Sequence, residues 1–190
     1  MTPALIAALL VAAGEGAVAS QPEQSGPFRS CLTLPAKQAV ARCREALAGE
    51  HAPARKILLL RMLGSQLASL ARWEEAARVY GTWVELEPEQ PEALRRYGEA
   101  LLVGTEQVHE AAAVLRDSVA RARGDARAHG WLGVALNILG RHAEAVRAFE
   151  DALGLDATYF SSRPAAREVF EAAQRGERWP APAGAAGAAR

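Results

Sequence analysis

The chain has 190 residues and a mass of 20.2 kDa, with 22 basic and 22 acidic side chains and so no net charge. Half of it is apolar and 23% is charged, enough to build a core and too apolar for disorder throughout. Its 43 alanines far outnumber its 7 phenylalanines and tyrosines, which argues against a sheet-rich fold. The balanced charge argues against a nucleic-acid backbone as partner.

Residues 1–19 read MTPALIAALLVAAGEGAVA. The apolar run Ala4–Ala13 is too short to span a bilayer and is followed by Ala17-Val18-Ala19, a small-x-small pattern. This resembles a secretory signal peptide cut after Ala19, although its start carries no Lys or Arg. The expected setting is periplasmic or secreted. No later run reaches 18 apolar residues, so no transmembrane anchor is expected after cleavage. Residues 20–30 read as a linker.

A helix is expected from Pro35 to Leu47, and it carries one of the only two cysteines, Cys31 and Cys43. On a single helix their twelve-residue spacing would separate them by about 18 Å, beyond disulfide reach. Pro35 interrupts that helix. Cys31 would then sit on a four-residue arm that extends to about 13 Å and can fold back onto Cys43. A structural disulfide is the expectation, stabilising by about 3 kcal/mol and consistent with export. Free buried thiols, or a redox or metal role, are the alternatives. The chain has no CxxC motif and no histidine local to the pair.

Beyond residue 56 the sequence repeats. Gly64, Gly98 and Gly133 are separated by 34 and 35 residues, and Ala76, Ala111 and Ala145 by 35 and 34. The run Leu70-Ala71-Arg72-Trp73-Glu74-Glu75-Ala76 matches Leu139-Gly140-Arg141-His142-Ala143-Glu144-Ala145, while the middle unit carries one extra residue in its turn. A helical glycine costs about 1 kcal/mol relative to alanine. Three at one period call for a packing reason, namely close approach of paired helices. Gly64 is expected to face Ala76.

This pattern resembles the tetratricopeptide repeat, a 34-residue helix–turn–helix with small residues at its eighth, twentieth and twenty-seventh positions. Units fall at 57–90, 91–125 and 126–159. Position twenty-four is Tyr80, Leu115 and Phe149. Position twenty-seven departs from the pattern at Trp83 and Ser118 and fits at Ala152. The resemblance implies an all-α, right-handed superhelix of about three repeats. Residues 31–50 imitate the second half of a unit. A capping helix is expected over 163–176, with Ala166, Val169, Phe170 and Ala173 forming one apolar stripe. Residues 179–190, rich in Pro, Gly and Ala, read as a disordered tail.

The resemblance also implies a concave groove lined by the first helix of each unit. Carried over, its positions are Arg61, Met62, Ser65 and Ser69, then Arg95, Arg96, Glu99 and Leu102, then Arg127, Trp131, Val134, Asn137 and Ile138. Trp131, Val134 and Ile138 would form an apolar anchor. Arg61, Arg95 and Arg96 could hold a carboxylate or phosphate. The Lys/Asn clamp of some cytosolic relatives is not matched, because position nine is Ser65 or Glu99. The expected partner is a peptide segment or helix of another protein, bound by a monomer or weak homo-oligomer. A self-assembling structural subunit is the alternative. The four histidines fit no HExxH pattern, and no Walker, Rossmann or Gly-x-Ser-x-Gly motif occurs. No enzyme activity, cofactor or metal is expected.

Overall fold

A computed structural model describes residues 26–179 of the chain. The expected leader, residues 1–19, and all but the first residue of the expected tail lie outside the described residues. Helices run at α1 Pro27–Thr33, α2 Ala36–Ala48, α3 Pro53–Ser69, α4 Trp73–Leu86, α5 Pro91–Gly104, α6 Val108–Arg121, α7 Ala126–Ile138, α8 His142–Leu155 and α9 Pro164–Gln174. Among the described residues there is no strand. None of their helices is long and apolar enough to cross a membrane.

The starts are written locally. Proline opens the first turn of α1, α3, α5 and α9, where its missing N–H costs nothing. α7 is capped instead by the Asp125 carboxylate, which accepts from the N–H groups of Arg127 and Ala128 at 2.9 and 3.2 Å. Each helix packs against the next, and α5 meets α7 and α7 meets α9 across the stack. The pairs α3–α4, α5–α6 and α7–α8 are therefore hairpins stacked side by side, covering apolar faces that none could bury alone.

The periodic small residues explain how closely the hairpins pair. Ala76, Ala111 and Ala145 are fully buried. A Cβ on Gly98 would lie 2.6 Å from Leu115, and one on Gly133 would lie 2.8 Å from the Phe149 ring. Gly64 meets the Tyr80 ring in the same way. The glycine thus receives the large residue at position twenty-four of its own unit, so the atoms nearest the Gly64 hollow are those of Tyr80. The reason is geometric: a missing Cβ makes a hollow, and a ring fills a hollow better than a methyl does. The two departures at position twenty-seven are also accommodated. Trp83 is buried and its Nε1–H donates to Glu87 Oε2 at 2.8 Å. Buried Ser118 donates through Oγ to the Pro91 carbonyl at 2.9 Å.

Both ends depart from the sequence expectation. Residues 27–33 are helical, so the expected linker 20–30 ends earlier, and Cys31 lies on a helix and not on an extended arm. Cys31 and Cys43 are disulfide-bonded, with Cα atoms 4.6 Å apart and both side chains fully buried. The bond joins α1 to α2 as a second pin on a short hairpin. The first long helix begins at Pro53, four residues before the expected start of unit one. At the other end Phe149, Phe160 and Phe170 form an aromatic triangle with centroids 5.3 to 5.9 Å apart. The chain does not leave the fold at residue 179, because Trp179 packs beside this cluster.

Candidate functional site

The first helices α5 and α7, with α9 as a third wall, enclose a pocket of about 600 Å³. Its apolar lining is Val103, Trp131, Val134, Ala166, Val169 and Trp179. Its charged lining is Arg95, Arg96, Arg127 and Arg163, together with Glu99. Of the residues read from sequence, Arg95, Arg96, Glu99, Arg127, Trp131 and Val134 meet here.

The arginines differ in how they are held. Arg95 is 7% exposed. Its Nε donates to Asp125 Oδ2 at 2.8 Å, and its Nη1 lies 3.9 Å from Glu99. It ties two hairpins together and offers little to a ligand. Arg96 is half-buried, 3.8 Å from Glu99 and 3.9 Å from Glu92. Arg163 donates to the Tyr159 carbonyl and to Ser162 Oγ, and its guanidinium stands 4.6 Å over the Tyr159 ring. Arg127 is exposed at the rim. Burial pushes the Glu99 carboxyl above the usual carboxylate range, against the opposing pull of Arg96, Arg95, Arg127 and Arg163. Burial likewise raises the Tyr159 phenol.

The other residues read from sequence lie elsewhere. Leu102 is 4% exposed and belongs to the core, so it offers no groove surface. Asn137 is fully buried. Its Oδ1 accepts from the Trp179 N–H at 2.6 Å, and its Nδ2 donates to the Glu177 carbonyl at 2.9 Å. The chain's own end satisfies it. Ile138 and Met62 are half-buried against the core. Arg61 and Ser65 lie outside this pocket on α3. Arg61 pairs with Glu92 at 3.1 Å and stands 5.4 Å over Trp83, while Ser65 is exposed. Ser69 donates to the Gln66 carbonyl of its own helix.

Sequence reasoning missed Val103, Tyr159, Arg163, Val169 and Trp179 as pocket residues. The α9 stripe was visible at Ala166 and Val169, but as a lid for the third unit and not as a wall. A larger depression of about 780 Å³ lies between α4 and α5 and is lined by Glu74, Arg78, Glu85, Tyr97 and Glu106 among others. Its charged lining is one arginine among three carboxylates, against four arginines and one carboxylate in the α5–α7–α9 pocket. Tyr97 there donates to Glu110 at 2.7 Å, and burial first, then that bond, push its phenol up to about 12. His129 is buried, with Nε2 3.1 Å from the Arg123 carbonyl and Nδ1 3.5 Å from Asp151. His142 Nδ1 lies 3.2 Å from Asn137 Nδ2. Among the described residues no cluster of three or more His, Cys, Asp or Glu side chains is placed to hold a metal.

The profile of the tetratricopeptide repeat family matches residues 101–160. Residues 101–160 thus carry the sequence pattern of that repeat, and the described residues share the all-α solenoid fold of solved tetratricopeptide structures. MamA is 17% identical with a TM-score of 0.62, over 79% of this chain and 93% of that one. MamA from Desulfovibrio magneticus RS-1 is 24% identical with a TM-score of 0.60, over 79% and 86%. The first tetratricopeptide domain of Spaghetti (RPAP3), bound to the HSP90 peptide SRMEEVD, is 22% identical with a TM-score of 0.56, over 65% and 98%. No curated protein matches this chain by sequence.

Proposed function

We propose that this chain is a protein-interaction scaffold that holds an extended segment of another protein in the α5–α7–α9 groove. One observation carries the reading: one pocket is lined both by apolar side chains, Trp131 among them, and by four arginines. Such a surface suits a segment pairing a large apolar side chain with a neighbouring carboxylate. The apolar residue would enter beside Trp131 and Val134, and the carboxylate would meet Arg96 and Arg127. Trp and Arg are the residue types that concentrate binding energy at interfaces. The Spaghetti domain, of the same fold, is bound to the acidic peptide SRMEEVD, which supports this use. The buried Cys31–Cys43 bond and the signal-like leader support an oxidising, exported setting.

Crosslinking in the native host followed by mass spectrometry tests the reading. A chain carrying both Trp131→Ala and Arg127→Ala should lose the crosslinked partner about tenfold or more, since each hot-spot residue contributes over about 1 kcal/mol. Circular dichroism should be unaltered. Unchanged capture would assign the partner to another face. Arg95 is the wrong choice for this test, because its guanidinium holds Asp125 across the hairpin seam and its loss would disturb the fold on its own account. The same spectra should show a mature N-terminus near Ser20.

A further inference from the structure

Asn137 occupies a groove position on α7, yet both ends of its amide are bound by the chain's own terminus. Its Nδ2 donates to the Glu177 carbonyl and its Oδ1 accepts from the Trp179 N–H. A side-chain amide presents the same donor and acceptor as a peptide group. Here it straddles Arg178 much as one strand straddles a residue of its neighbour. The contact reads main chain, so it is indifferent to the side chain between. Two further contacts fix the segment. The Arg178 guanidinium lies across Gly140, where a Cβ would come within 2.8 Å of it. The Trp179 side chain lines the pocket together with Trp131, Val134, Ala166 and Val169. Residues 177–179 therefore form a short strap held by backbone recognition at one point and by an aromatic in an apolar pocket at another.

We infer that this strap is an internal stand-in for the groove's ligand: the segment bound there is extended, presents a free carbonyl and N–H to Asn137, and places an aromatic residue in the pocket. The inference rests on reading the groove as the binding face and narrows the class of segment it takes. Nothing in the strap's hold is covalent or helical, and the contacts that fix it are few. A tethered ligand competes at an effective concentration of about 1 mM. A free segment must displace it, so apparent affinity falls by the fraction of groove already filled.

The test uses the full chain and a labelled synthetic peptide of residues 174–181, QRGERWPA. Fluorescence anisotropy should show the Trp179→Ala chain binding this peptide about tenfold or more tightly than the native chain does. A peptide with alanine in place of its tryptophan should bind neither. Equal binding by both chains, or binding by neither, would overturn the inference. Should Trp179→Ala fail to fold, the native chain answers the question by hydrogen exchange. Excess peptide should speed exchange of the Trp179 amide as Asn137 releases it, and an unchanged rate would overturn the inference. The outcome is separable from the fate of the proposed function. Partner capture unaffected by the Trp131 and Arg127 changes would sink the proposed function, whereas partner loss in those variants with equal peptide binding by both chains would sink this inference alone.

Discussion

Ala71 and Gly140 stand at the same point of the first and third hairpins, two residues past the end of the leading helix. Both are left-handed, with φ of 57° and 76°. The turn geometry repeats although the residue does not, and alanine carries the steric penalty there while glycine does not. Ala71→Gly should raise stability by roughly 0.5–1 kcal/mol, the strain relieved less the added freedom of the unfolded chain. Gly140→Ala should lower it by at least about 1 kcal/mol, since its methyl would also press on Arg178. Urea unfolding of the two variants measures both. If Ala71→Gly proves destabilising, the strain assigned to that turn is absent.

At the scale of the element, α1 shows what a disulfide does for a short helix. Seven residues are too few to hold a helix in water by themselves, and α1 is tied to α2 by Cys31–Cys43. Changing both cysteines to serine should cost about 2–3 kcal/mol in the loop-entropy account, and α1 amides should lose exchange protection while those of α7 and α8 keep theirs. Uniform loss across the chain would contradict a local role. The sequence made the cysteine pair legible and left α1 unread. Pro27 at a helix start, with Phe28 and Cys31 three apart, is a signal of one turn only, and periodicity needs more. The α3–α8 hairpins were readable because the glycine and alanine spacing repeats three times. Which partner fills each glycine hollow was not, since a spacing names the hollow and not its occupant. Leu102 and Asn137 were placed in the groove by position alone. Leu102 packs into the core and Asn137 is covered by residues 177–179, and no local pattern records either.

Across the whole molecule the two ends are secured by different means, a covalent bond at α1–α2 and aromatic packing at α7–α9. In a stack each hairpin senses chiefly its neighbours. Phe149→Ala removes a fully buried ring and should cost about 3–5 kcal/mol. By hydrogen exchange the loss should concentrate in α7, α8 and α9 and spare α2 and α3. A global, uniform collapse would show that the stack unfolds as one unit. The α9–Trp179 end was the least legible part of the site. Its decisive contact, Asn137 to residues 177 and 179, spans some forty positions and follows no period.

Asp125 serves two neighbours with one carboxylate. Oδ1 closes the start of α7, and Oδ2 grips Arg95 on α5. The spacing of adjacent hairpins is thus keyed by a matched acid and base, not left to the connecting turn. Anyone splicing units from this chain into another array would have to transplant lock and key together. A unit grafted without its mate would strand a buried cation at the seam and open the joint.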